Sequence, residues 1–190
     1  AHRALGTGRR LLLGENRVQE LVAKGPELAD LGLAYHLIGP LQSNKVNAAL
    51  RWADSIDTVE SLDLARRLAD RWGGRDRDLD VMVQVNVSGE ATKHGVGPDD
   101  AVVLAAEVAA LPGLRLVGLQ TIGARSSDAA GVRAGFAALR RVRDEVRASG
   151  APGTAAVDEL SMGMTGDLEL AVAEGATIVR VGTAVFGPRT

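Results

Sequence analysis

Short apolar runs alternate with longer amphipathic stretches along the chain, in one fixed order. The apolar runs at 11–13, 34–38, 55–56, 79–87, 114–121, 159–161 and 177–181 read as strands. Helical patterns lie between them, at 18–29, 43–52, 59–72, 98–110, 129–149 and 168–173. Several strands leave through turn-forming residues, as in Gly14-Glu15-Asn16 and Gly39-Pro40, and Gly73, Gly150 and Gly175 stand where helices should stop. A strict strand-then-helix order predicts a parallel sheet with helices outside it. No internal repeat and no low-complexity segment interrupts the pattern.

Seven strands separated by helices are one short of a closed (β/α)8 barrel of the TIM type. The chain also begins without Met, at Ala1-His2-Arg3-Ala4-Leu5-Gly6, which reads like the tail of a helix ending at a glycine. The expectation is therefore an α/β barrel, a single domain over residues 1–190, whose first strand belongs upstream and is missing from this chain.

Composition narrows the function classes. With 190 residues, 46% hydrophobic and 24% charged, the chain can bury one substantial core. A formal charge of −2 gives no electrostatic reason to expect nucleic acid or an acidic membrane. The basic pairs and runs (Arg9-Arg10, Arg66-Arg67, Arg140-Arg141-x-Arg143) adjoin apolar or acidic residues, as solvated helix faces do. Without cysteine there is no disulfide and no thiolate metal site, and His2, His36 and His94 have no ligand spacing. Nothing reads as a membrane span or a signal peptide, so the expected location is the cytoplasm.

The strongest local chemistry is C-terminal. Ser161-Met-Gly163-Met-Thr165-Gly-Asp167 and Arg180-Val-Gly182-Thr183 each follow a strand, and they form the last two β-to-α junctions. Phosphate sites in such barrels use these two loops. Glycine lets backbone amides approach an anion, Ser and Thr add hydroxyl donors, and a helix start adds positive potential. Two ordinary junctions with hydroxyl caps would read the same way. Arg180 interrupts an otherwise apolar strand. It either pairs with a carboxylate such as Glu15 or donates to a polar ligand atom at the barrel mouth. Asn16 with Gln19 matches a capping box. His36 reads as a core histidine or a pocket residue. Lys24, Lys45 and Lys93 all read as solvated, since none stands in a strand or at its immediate end.

Five stretches together resemble the pyridoxal phosphate homeostasis family, whose barrel is related to that of alanine racemase. They are GENRVQE (14–20), HLIGPLQSNK (36–45), QVNVSGEATKHG (84–95), SMGMTGDLELAVAEGAT (161–177) and VRVGTAVFG (179–187). The resemblance implies a barrel that binds pyridoxal 5′-phosphate (PLP), with the aldehyde held by a lysine at the end of the first strand, upstream of Ala1. It implies phosphate contacts from Ser161, Gly182 and Thr183, with Gly163, in the junction after Ser161, also among the cofactor-binding residues. It places Arg180 opposite the ring nitrogen, and Asn16 and His36 in other pocket motifs. Gln120-Thr121-Ile122-Gly123 departs from the Met-x-Ile-Pro-like segment usual there.

Two functions fit. One is a non-catalytic PLP carrier or buffer in vitamin B6 homeostasis, with PLP-dependent apoenzymes as the partners it would serve. The other is a racemase-type PLP enzyme, which needs a second base opposite its lysine. Tyr35 is the only tyrosine, and the sequence stops at Gly187-Pro188-Arg189-Thr190, directly after the last expected strand, so the expectation is the carrier. An Arg opposite the ring nitrogen also keeps it unprotonated and weakens the cofactor as an electron sink. A barrel for another phosphorylated metabolite is a third reading, separable by cofactor extraction and mass spectrometry.

Overall fold

The computed structural model describes residues 11–90, 92–124, 126 and 128–187. Seven strands form one sheet in sequential order: β1 (Leu12–Glu15), β2 (Ala34–Leu37), β3 (Ser55–Val59), β4 (Leu79–Gln84), β5 (Leu114–Gln120), β6 (Glu159–Met164) and β7 (Ile178–Arg180). Every neighbouring pair is parallel. The helices α1 (Val18–Leu28), α2 (Val46–Ala49), α3 (Leu62–Trp72), α4 (Pro98–Ala109), α5 (Ala129–Ala148) and α6 (Leu168–Ala173) connect them, and a one-turn helix α7 (Thr183–Phe186) follows β7. This is a nearly closed (β/α) barrel of TIM type. Among the described residues the outer edges of β1 and β7 have no strand partner.

Local chemistry explains most boundaries. Ser61 and Asp128 cap α3 and α5 by accepting the Leu64 and Ala130 amides. Pro98 occupies the first turn of α4, where its missing amide costs nothing. Gly150 and Gly175 follow their helices with φ of 70° and 90°, as expected of helix stops. Gly73 does not: its φ is −48°, and the left-handed residue is Gly74. The helix expected from residue 59 starts at Leu62, because Asp57, Thr58 and Val59 extend β3.

The apolar core lies between the sheet and the helices. Leu37, Ile56, Val83, Leu119 and Leu160 face Leu21, Leu68, Ala105, Phe136 and Leu139 in that layer. The alternate strand positions are also buried, yet many are polar: His36, Ser55, Asp57, Gln84, Gln120 and Ser161. Strand alternation assigns these to the inner face. The barrel thus carries its hydrophobic core outside and a polar lining inside.

Between α5 and α6, the buried Glu174 carboxylate is paired with Arg133 and Arg140. The hydrogen bond from Arg133 is the main cause holding Glu174 below the ordinary carboxylate value of 4.5; burial opposes it, and the charges of Arg133 and Arg140 assist it. A depressed folded value contributes stability above the unfolded value, and that contribution is lost as pH falls through the folded value. Acid unfolding of Glu174→Gln should therefore show a shallower loss of stability below about pH 4.5 than the parent. Parallel urea titrations across that range test this, and identical slopes would rule it out.

Candidate functional site at the barrel mouth

The C-terminal ends of β5, β6 and β7 converge on one side chain. Arg180 donates from Nη1 to Ser161 Oγ at 2.9 Å and from Nη2 to the Thr121 carbonyl at 2.7 Å. Among the described residues it pairs with no carboxylate. The sequence left Glu15 open as its partner, but Glu15 accepts from Lys24 at 2.8 Å on the outer side of β1. Loss of solvation is the main influence on the guanidinium and pushes its pKa down, against the charges of Asp57 and Asp167. Asp57 is on β3, four strands away, and acts on Arg180 across the inside of the barrel. A guanidinium has five N–H donors, so most of those on Arg180 remain available for a ligand.

Gly182 and Thr183 follow β7 after Val181. The Val185 and Phe186 amides both turn back to the Gly182 carbonyl. The amides just before them begin a helical turn, where no intrahelical acceptor exists. A β-carbon on Gly182 would meet nothing within 4 Å, so the backbone lies open there. Thr183 Oγ1 is 3.5 Å from Thr165 Oγ1 on the neighbouring junction, and both residues are exposed. Asp167 folds the Thr165 loop by accepting the Met164 amide at 2.6 Å. Gly163 also serves packing. Its φ is 89°, and a β-carbon there would overlap the Ala171 methyl, so the glycine admits α6 against β6.

The other two expected site residues lie elsewhere on the barrel. Asn16 is exposed on the rim after β1. It does not close a capping box, because the residue before α1 is Arg17 and no side chain caps that helix. Instead Asn16 packs on Gly39, where any β-carbon would overlap its carbonyl oxygen. His36 is buried deeper, in register with Gly14 and Ser55. Its Nδ1 is 3.0 Å from Asp57 Oδ2, and Ser55 Oγ donates to Asp57 Oδ1 at 2.6 Å.

Sequence reading missed Asp57, Ser55, Gln84 and Gln120 as members of this lining. The available signal was a polar residue at alternate positions of strands read as apolar, as with Ser55 and Asp57 or Asp80 and Gln84. Lys93 also departs from expectation. Only 16% of its side chain is exposed, and Nζ donates to Glu90 at 2.7 Å and to the Gly123 carbonyl at 3.1 Å. Tyr35 points outward into the apolar layer, and its hydroxyl is buried without a partner among the described residues.

Comparison with known proteins first defines the class. The family described as "Alanine racemase, N-terminal domain" matches residues 5–190. An alanine racemase structure from Clostridium difficile shares the fold at 20% identity, with a TM-score of 0.73 over 98% of this chain and 47% of its own. The chain belongs, more particularly, to the pyridoxal phosphate homeostasis protein family. The Pseudomonas aeruginosa member is 44% identical over 176 residues, which are 93% of this chain and 74% of that protein. PipY of Synechococcus elongatus, solved with PLP bound, is 40% identical with a TM-score of 0.84, covering 98% of this chain and 85% of its own.

The buried Asp57 cluster gives a stability test. Asp57→Ala leaves both the His36 Nδ1 and the Ser55 hydroxyl without their acceptor, and should cost about 2–4 kcal/mol. Asp57→Asn keeps an acceptor and should cost less. Denaturant midpoints for both variants measure the difference, and equal losses would contradict this account of the cluster.

Proposed function

We propose that this protein binds PLP at the C-terminal mouth of the barrel and serves as a non-catalytic carrier or buffer, with PLP-dependent apoenzymes as recipients. The observation that carries the reading is Arg180: a desolvated cation with neutral partners and unspent donors, two residues from open backbone at Gly182. A phosphorylated pyridine fits this donor set. Its ring nitrogen is an acceptor for Arg180, and its phosphate suits the Gly182 backbone and the Ser161 and Thr183 hydroxyls. Asn16 stands at the rim, Gly163 shapes the loop, and His36, held by Asp57, lines the interior below. Bound PLP supplies an electrophilic aldehyde conjugated to an electron-withdrawing ring.

The residues present support holding rather than turnover. Arg180 opposite the ring nitrogen keeps that nitrogen an acceptor, which weakens the ring as an electron sink. A racemase-type reaction also needs two bases on opposite faces of the substrate. Tyr35 is the only tyrosine, and its hydroxyl lies in the outer layer, away from the mouth. The PLP-bound relative and the name shared by the relatives support the same reading.

Thr183→Ala removes a hydroxyl donor to a charged acceptor and should weaken PLP binding by about 1.5–3 kcal/mol. Equilibrium titration measures this, and an unchanged affinity would count against the phosphate position. For catalysis, alanine is incubated with the PLP-loaded protein in deuterated water, following α-proton exchange and chirality separately. The expected result is no inversion above that of free PLP. Rapid inversion would overturn the carrier reading.

A further inference from the structure

The opposite end of the barrel holds a cavity of its own. It is about 420 Å³ in volume, lies where β2, β4 and β5 begin, and is lined by Ala34, His36, Asp54, Arg77, Asp80 and Arg115. From Arg115 to the Thr121 carbonyl that holds Arg180 is about 20 Å of extended chain, so this cavity is distinct from the mouth. Charged pairs at this end of a barrel ordinarily serve stability. Here they leave donors unused. Arg77 Nη2 donates to Asp54 Oδ1 at 2.7 Å, and Arg115 donates from Nε and Nη2 to Asp80 at 2.7 and 2.9 Å. Each guanidinium has five N–H groups, and the others have no protein acceptor among the described residues.

His36 forms the sheltered wall of the cavity. It shares one row of the sheet with the charged residues: His36 is in register with Ser55, Ser55 with Asp80, and Asp80 with Arg115. All four stand on the inner face, so their side chains converge on the barrel axis. His36 is only 9% exposed, and its Nδ1 donates to Asp57, because a carboxylate can only accept. Asp57 lies two residues beyond Ser55, towards the mouth. The two ring nitrogens point to opposite sides, so Nε2 faces back into the cavity. In the neutral ring Nε2 is an acceptor, and it has no protein partner among the described residues. The cavity thus presents a sheltered acceptor with the Asp57 charge behind it, and cationic donors on its open side. Its two guanidiniums and two carboxylates sum to no net charge. Such a lining matches a small molecule that carries both charges, not one that carries either alone.

We propose that this cavity is a second binding site, for a free α-amino acid. The carboxylate takes the unused N–H groups of Arg77 and Arg115, and the ammonium donates to His36 Nε2 and to the remaining lone pairs of Asp80. The site is separate from the cofactor mouth, and its assignment does not depend on what binds there.

The probe is glycine, titrated into the full chain free of PLP and followed by NMR of the imidazoles. The chain has three histidines, His2, His36 and His94, and loss of one signal in His36→Gln assigns the resonance. Glycine should move the His36 resonance saturably, with a Kd of about 1 mM or tighter. Acetate and methylamine each carry one of the two charges and should bind at least about tenfold more weakly. Arg77→Gln combined with Arg115→Gln should weaken glycine binding about tenfold or more and leave PLP affinity within about twofold of the parent. Both arginines are more than half exposed, and the comparison of ligands in the parent needs no variant to fold. Three results would overturn the assignment: no saturable shift at His36, acetate or methylamine bound as tightly as glycine, or glycine binding that survives the double substitution.

Discussion

The site depends on how a half-buried guanidinium is balanced. Arg180 is drawn out of water at the end of β7, and its direct protein partners are a hydroxyl and a backbone carbonyl, both neutral. The nearest compensating charges, Asp57 and Asp167, act without touching it. A cation in that position is stabilised only in part, and burial without a close counter-charge is costly. The barrel accepts this cost where β5, β6 and β7 end side by side. It follows that a ligand bringing acceptors and negative charge there replaces lost water instead of competing with an existing ion pair. The outer pairs, Glu15 with Lys24 and Glu174 with its two arginines, are closed in a way that Arg180 is not.

The polar lining follows from the same architecture. Each strand gives alternate residues to two environments, and the sheet–helix layer takes nearly all the large apolar side chains. Met82 is an informative exception: it is 1% exposed yet lies outside the apolar core, because it sits among the polar residues within the barrel. Apolar packing is thereby concentrated in one layer and polar groups in the other. Polar groups such as Gln120 Oε1 can remain unsatisfied inside without undoing the packing outside.

The sequence made the strand–helix order plain, because each strand is a compact apolar run and each helix an amphipathic one. The last two junctions were also legible, since Gly, Ser and Thr after a strand carry their own chemical meaning. The inner lining was not. Asp57 and Thr58 in Ser-Ile-Asp-Thr-Val look like the exit from a strand, although they continue it into a polar interior. Asn16 and Gln19 have the spacing of a cap, but the close approach of Asn16 to Gly39 comes from packing between two loops, which no local pattern contains. Lys93 was misread for a related reason. The segment after β4 folds back so that Val96 bridges Val85, and this lays the lysine over the next junction.

What separates a carrier from a catalyst here is the kind of binding the lining can offer. A catalyst must hold the transition state more tightly than the ground state, which calls for groups placed against charge that develops during reaction. The donors at this mouth face charge and lone pairs that a phosphorylated pyridine already has before any reaction. They would stabilise the bound cofactor uniformly, and uniform binding does not accelerate a chemical step. On the proposed reading a carrier must also release its cargo, and Gly182, Thr183 and Thr165, where the phosphate would lie, are exposed while Ser161 is buried. A ligand held there would be oriented at the inner end and free to exchange at the outer one, as the proposed carrier role requires.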